Sequence, residues 1–359
     1  MIIKKLRLQD FRNHKLHEFE LSNKTTLIVG KNASGKTNIL EGIYLLATGK
    51  SFRANLEQEM INWDTPLSRI KGRIVDEKET TDLEIVLTRG EVAGEKTARK
   101  KYLVNGVSRR MSDFVGTLKA VYFGPEDLDL VTGSPSLRRR YLDAVLSQAD
   151  REYSRSALSY EKGLRQRNKL LEKIRDENGS RSQLLFWDQL LIKNGEVITQ
   201  KREEFINFVN NIKYQISDIR YQIYYDKSII SPSRLAEYAQ EEVAAAATLV
   251  GPHRDDFRLV IRNNQDGKSA ESPRDMAVYG SRGEQRLAVL WLKLCELESL
   301  SQKSGKRPVL LLDDIFSELD HEHRKMVLEL IPKQQTILSS ADIHLVEKQY
   351  QKRMEVVEL

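Results

Sequence analysis

The 359 residues include a single cysteine, so no disulfide can form within the chain. Proline is scarce at 8 residues, and aromatic side chains make up only 7%. No stretch approaches the roughly 18 consecutive apolar residues that a membrane-spanning helix needs. The opening Met1-Ile2-Ile3-Lys4-Lys5-Leu6-Arg7 lacks the apolar core of a signal peptide, so we expect a protein of the reducing cytoplasm with no membrane association. Internal repeats and low-complexity tracts are missing too, which excludes solenoid and disordered classes. Cys295 lies in an apolar helical stretch and is expected to act as a small buried hydrophobe. With 40% hydrophobic and 31% charged residues, the chain has room for one large α/β domain and a second lobe.

What is present is concentrated in three phrases set far apart. The first is Gly30-Lys31-Asn32-Ala33-Ser34-Gly35-Lys36-Thr37, which fits G-x-x-x-x-G-K-[ST]. The β-branched run 25–29 precedes it, and residues 37–46 follow with helical periodicity, placing Ile39, Leu40, Ile43 and Leu46 on one face. Strand, loop and helix are the setting in which backbone N–H groups converge on a β-phosphate at the positive end of a helix. Lys36 is then expected to bridge the β- and γ-phosphates of ATP, and the Thr37 hydroxyl to bind Mg²⁺. The second phrase, Val309-Leu310-Leu311-Leu312-Asp313-Asp314, reads as a buried parallel strand ending in two carboxylates. Asp313 is expected at the Mg²⁺ ion, and Asp314 to orient or deprotonate an attacking water as the catalytic carboxylate.

The third phrase is Ser281-Arg282-Gly283-Glu284-Gln285, just ahead of an amphipathic helix carrying Leu287, Leu290, Leu294 and Leu297. Ser281 and Glu284 form a capping-box pattern, which explains two residues and leaves Gly283 unexplained. A capped helix start is also an anion site. The phrase resembles the signature loop of ABC-type ATPases, and Ser317-Glu318-Leu319-Asp320 resembles their D-loop. That resemblance implies a loop acting in trans, hence a head-to-tail dimer around two ATP molecules.

Longer segments carry a more specific likeness. Phe11-Arg12-Asn13-His14 resembles the first turn of SMC-type heads. The run 122–131, then Gly133-Ser134-Pro135, Arg138-Arg139-Arg140-Tyr141-Leu142-Asp143 and Gly251-Pro252-His253-Arg254-Asp255-Asp256, resemble the RecF family of recombination mediators. The likeness runs from the first strand through Leu345. It implies an α/β fold, an ABC/SMC-type P-loop ATPase head with an inserted, mainly helical second lobe. It further implies an ATP-dependent homodimer on gapped or single-strand/double-strand DNA, slow hydrolysis, and work with RecO and RecR in placing RecA. We expect the head to be split in sequence, residues 1–120 plus 250–359, around a helical lobe at 121–249. Residues 263–267 read as a hairpin turn.

The net charge of +6 favours a polyanionic partner. Lys100, Lys101, Arg109, Arg110, Arg138, Arg139 and Arg140 are the candidate phosphate contacts, with Arg165, Arg167 and Lys169 along the next helix. Tyr221, Tyr224 and Tyr225 read as half-buried strand residues, and His321 and His323 as part of a solvated turn. The other class sharing the three phrases is the nucleotide-binding subunit of a membrane transporter. The long interval between Thr37 and Ser281 and the basic helical lobe weigh against it. Two departures from the ABC pattern predict slow chemistry: Asp314 in place of a glutamate, and Ser339-Ser340-Ala341-Asp342 in place of a switch histidine. Glu126 is the stand-in for the glutamine of the Q-loop.

Overall fold

The computed structural model describes residues 1–77, 79–177, 179–212, 216, 220–262, 273–317, 320–345 and 348–359. The expected turn at 263–267 lies outside the described residues, as do Glu318 and Leu319 of the D-loop-like segment. The chain divides into two compact units, residues 1–127 with 292–359, and residues 128–291. These limits differ from the expected lobe at 121–249: the segment 250–291, with its strands and the start of the signature helix, falls in the second unit.

The first unit holds two sheets. Strands β1 (Ile2–Phe11), β2 (His14–Glu20), β4 (Leu67–Asp76), β5 (Glu79–Thr88), β8 (Lys100–Val104) and β9 (Val107–Arg109) form one, in the order β2-β1-β4-β5-β8-β9. All of its pairings are antiparallel. In β4 buried and less buried residues alternate, as expected when one face meets the core. A two-stranded ribbon of β6 (Glu91–Val92) and β7 (Glu95–Lys96) hangs from it. The other sheet is parallel and ordered β10-β14-β15-β3-β16, from β3 (Thr25–Val29), β10 (Ala120–Phe123), β14 (Val309–Asp313), β15 (Thr336–Ser340) and β16 (Glu355–Glu358). The apolar runs of β10 and β14 are buried throughout, which is why they show no alternation.

The helix Lys36–Thr48 packs against strands of both sheets. Ile39, Leu40, Ile43 and Leu46 are fully buried, as the periodicity predicts. Glu41, Gly42 and Leu45 are buried as well, so the helix is a core element rather than a surface one. This burial fixes the start of the helix, and with it the glycine-rich loop between β3 and Lys36.

The second unit is built on the helices Pro135–Ala149, Arg151–Glu177 and Leu185–Asn211. Asp150 separates the first two. Its Oδ1 accepts from the N–H groups of Glu152 (2.8 Å) and Tyr153 (3.2 Å), capping the second helix. The two 27-residue helices run about 40 Å each and pack together. A three-stranded antiparallel sheet of β11 (Arg220–Asp226), β12 (Asp256–Arg262) and β13 (Arg274–Asp275) completes the unit. Among the described residues, no helix is long and apolar enough to cross a membrane.

A phosphate loop, an acidic strand end and a signature loop

The glycine-rich loop is closed by its own backbone. Ser34 N–H donates to Lys31 O (3.1 Å), Ala33 takes φ 66° and Gly35 φ 107°. A Cβ on Gly35 would lie 2.7 Å from His14 Nε2 and 2.8 Å from Asn13 Oδ1. The Asn13-His14 turn is therefore the wall of the loop. Asn13 Nδ2 donates to Ser34 O (3.2 Å), His14 Nε2 meets Gly35 O (3.2 Å), and Asn38 Nδ2 donates to Asn13 Oδ1 (2.6 Å). Burial holds the His14 imidazole below its ordinary pKa, so it stays neutral while donating to Gly35.

Three features suit the loop to a phosphate chain. The helix Lys36–Thr48 starts with no side-chain cap and no acidic residue in its first turn, so its N–H groups and positive end are left to an anion. Lys36 Nζ donates to Gly30 O (2.7 Å) and Lys31 O (3.0 Å), lying across the loop it would share with phosphate oxygens. Ser34 Oγ is buried without a hydrogen-bond partner. Thr37 is half-buried in the first turn, while Lys31, Asn32 and Ala33 are exposed.

The loop's support was not legible as a site. Glu41, fully buried, accepts from Arg12 Nε (3.0 Å) and Nη2 (2.7 Å), Arg53 Nη2 (2.9 Å) and Ser51 Oγ (2.5 Å). Burial alone would raise its pKa, but the two guanidinium groups outweigh it and keep the carboxylate ionised.

At the end of β14, Asp313 Oδ1 accepts from Ser339 Oγ (2.5 Å) and Oδ2 from the Tyr122 hydroxyl (3.2 Å). The Ser339 hydroxyl and the Tyr122 hydrogen, which is shared with Glu126, orient this buried carboxylate, and the arrangement suits a hard cation or its bound water. Asp314 takes φ 49°, unusual outside glycine, and its N–H donates to Ser339 Oγ (3.1 Å). Ser339, noted in the sequence only as a replacement for histidine, thus organises both aspartates. Glu126 accepts from the Tyr122 hydroxyl (2.8 Å), and burial raises its pKa.

The signature segment belongs to the second unit. Ser281 N–H and Oγ both meet Glu284 Oε2 at 2.7 Å, and Glu284 N–H donates back to Ser281 Oγ (3.3 Å). The capping box is therefore formed. Ser281, Arg282 and Gly283 are exposed, and among the described residues a Cβ on Gly283 would meet nothing within 4 Å outside its own helix and chain neighbours. Gln285 departs from its expected place with them. It is buried, and its Nε2 donates to Met276 O (2.9 Å) and Gly280 O (3.2 Å), so it anchors the loop from behind.

The basic candidates separate into two groups. Lys101, Arg109 and Arg110 are exposed around the β8–β9 edge. Lys100 is corrected: its side chain is 9% exposed, donating to Gly49 O (2.7 Å) and pairing with Glu57 (3.0 Å). Arg138 is corrected likewise, forked onto Asp256 at 2.6 and 2.9 Å. Arg139 donates to Asp255 O (2.8 Å), Arg140 is half-buried, and Arg167 is buried against Asp188. Tyr224 is exposed beneath the Arg258 guanidinium, whereas Tyr221 is core. Cys295 is buried as expected, and no metal-binding cluster of His, Cys, Asp and Glu occurs among the described residues.

A parallel sheet carrying a phosphate loop and an acidic strand end, an adjoining antiparallel sheet and a helical lobe together define an ATPase head of the ABC/SMC class. The family model described as RecF/RecN/SMC N terminal domain matches residues 2–358. The DNA replication and repair protein RecF of Herpetosiphon aurantiacus is 36% identical over 373 residues, covering 96% of this chain and 94% of that one. A solved structure of the recombination mediator protein RecF with ATP, in the RecFOR pathway, is 32% identical with a TM-score of 0.83, covering 96% of this chain and 93% of the other. The Smc head domain of Pyrococcus furiosus, at 16% identity and a TM-score of 0.50, shares the fold, covering 99% of this chain and 92% of that one. The chain belongs to the RecF family of DNA replication and repair proteins. The transporter alternative is not favoured.

Proposed function

We propose that the protein is an ATP-gated DNA clamp: ATP drives two copies together head to tail, and slow hydrolysis releases them. The reading has the glycine-rich loop holding the triphosphate, with Lys36 leaving its loop carbonyls for the β- and γ-phosphates. Thr37 and Asp313 would hold Mg²⁺, which would supply charge neutralisation at the phosphates. Asp314, shaped by its left-handed backbone, would orient the attacking water. The ATP carried by the related RecF structure supports the choice of nucleotide.

The observation that carries the trans arrangement is Gly283. Among the described residues, nothing beyond its own helix and chain neighbours approaches the place of its missing side chain, and it stands exposed in the first turn of a capped helix. No contact among the described residues calls for glycine there, and a partner's surface is the reason the clamp supplies. A partner's γ-phosphate would meet this helix start at the exposed Ser281 hydroxyl, sharing its positive end with the Glu284 carboxylate. DNA is the polyanion for the exposed Lys101, Arg109 and Arg110, near gaps and single-strand/double-strand junctions. RecO and RecR are the partners through which the clamp would help to place RecA, and the cytoplasm is where it would act.

The test is analytical ultracentrifugation of Ser281→Arg with ATP. Binding by its own phosphate loop should stay near normal, while the large side chain fills the space that the partner's nucleotide needs. Dimer formation at parental strength would reduce the segment to a capped helix start and end the clamp model.

A further inference from the structure

Tyr122 has a hydroxyl that its packing does not require. The ring is 2% exposed, stacks on Phe52 at 3.8 Å and 13°, and meets the Tyr44 ring edge-on at 6.0 Å. A phenylalanine would make every one of these contacts. The hydroxyl instead lies 2.8 Å from Glu126 Oε2 and 3.2 Å from Asp313 Oδ2. Register explains the reach: β10 runs parallel to β14 with Tyr122 opposite Leu311, and Asp313 lies two residues on, on the same face.

Room for that hydroxyl is made by Gly124. A Cβ there would lie 2.1 Å from the Tyr122 oxygen and 2.6 Å from Cζ, closer than any side chain can sit. The glycine and the tyrosine are therefore one device, because any larger residue at 124 drives the phenol away from Asp313. Burial first, then the charges of Asp313 and Glu126, hold the phenol well above its ordinary pKa, so it acts only as a neutral hydrogen-bond group.

We propose that Tyr122 is a positioning residue, its hydroxyl admitted by Gly124 to hold the Asp313 carboxylate in the orientation that receives the divalent cation. The proposal rests on the reading of Asp313 as the cation's carboxylate. Ser339 Oγ donates to Oδ1, while the single Tyr122 hydrogen is shared between Asp313 Oδ2 (3.2 Å) and Glu126 Oε2 (2.8 Å), so the phenol tethers Oδ2 and ties it to Glu126. Removal of one such outer partner typically weakens metal affinity about 10- to 100-fold.

The experiment titrates the full chain, Tyr122→Phe and Asp313→Asn with the fluorescent analogue MANT-ATP, in EDTA and across a magnesium series. Tyr122→Phe should bind the analogue in EDTA within about twofold of the parent and keep the parental unfolding midpoint without nucleotide. It should need about tenfold more magnesium for half of the metal-dependent gain in affinity. Gly124→Ala, which displaces the same hydroxyl by another route, should move the magnesium curve in the same direction. Asp313→Asn should lose the gain. A Tyr122→Phe magnesium curve that overlays the parent's while Asp313→Asn loses its own would make Tyr122 a packing residue and overturn the proposal. If Asp313→Asn also keeps the parental curve, the cation assignment itself fails and the proposal falls with it.

Discussion

The phosphate loop and the signature loop make opposite use of glycine. At Gly35 the chain supplies the whole reason: φ is 107°, and His14 and Asn13 stand where a Cβ would go. At Gly283 the described residues supply none, because nothing outside its own helix and chain neighbours lies within 4 Å of that position. The first loop is finished by its own unit, walled by the 13–14 turn and braced through Glu41. The second is finished as a helix cap, and only the proposed dimer would complete it as a site. A loop whose parts are satisfied internally can be understood from one chain, whereas the exposed Gly283 has a role only under that proposal.

The sharpest way to break the comparison is at the acidic strand end, which should behave like the phosphate loop and answer to its own chain. Asp314→Asn should leave ATP binding intact and slow single-turnover hydrolysis about 10²- to 10⁴-fold, the usual cost of one positioned base. A rate within a few-fold of the parent would exclude Asp314 as the catalytic carboxylate and move attention to Glu126.

Bracing comes next. Glu41→Gln leaves Arg12 and Arg53 facing a neutral amide at a fully buried position. Leaving a buried charge unpaired costs about 3–5 kcal/mol, and because Arg12 and Arg53 are partly exposed the loss here should fall below that range. The unfolding midpoint should fall and nucleotide affinity with it, because Arg12 belongs to the turn that walls the loop. Unchanged affinity in a destabilised variant would separate the brace from the loop.

Glu41 also marks the limit of reading by pattern. The glycine-rich loop, the acidic strand and the capping box are contiguous and could be read directly. The brace joins Arg12, Glu41 and Arg53, which local periodicity treats as three surface charges. Lys100 and Arg138 misled for the same reason. Each sits in a basic cluster, but its neutralising partner, Glu57 or Asp256, is far away in the chain. Ser339 and Tyr122 reach Asp313 only because β15 and β10 flank β14, a sheet order that no spacing reveals.

The second unit has a buried polar network of its own, open to a pH test. His253 Nε2 donates to Thr248 O (3.0 Å), and its Nδ1 accepts from the Tyr160 hydroxyl (2.9 Å). Burial pulls its pKa down to about 4. The unfolded chain, with an ordinary imidazole near 6.5, therefore takes up the proton first. Stability contributed by the neutral ring is full above about pH 6.5 and is lost as pH falls to 4 and below, by roughly 3 kcal/mol in all. Unfolding midpoints of the parent and His253→Gln, followed across that window, should converge as the solution is acidified. Parallel curves would show that the ring does not titrate with folding.

The smallest stability effect tests the comparison most directly, because Gly283→Ala should change two properties in opposite directions. Among the described residues a Cβ at 283 meets open space, so it introduces no strain there. Replacing an exposed glycine by alanine where no strain results restricts the unfolded chain and stabilises the fold by about 0.4–1 kcal/mol. The unfolding midpoint of the isolated protein should therefore rise slightly, and nucleotide binding by its own loop should be untouched. If the partner's phosphate approaches this turn, however, the new methyl group occupies the approach. ATP-dependent dimerisation, read by sedimentation, should weaken or vanish in a protein that is more stable than its parent. Gly35→Ala is the matched control: φ of 107° and the His14 and Asn13 contacts predict lost stability and lost nucleotide binding together. A Gly283→Ala protein that dimerises as the parent does would mean that the two glycines differ only in how much strain they relieve.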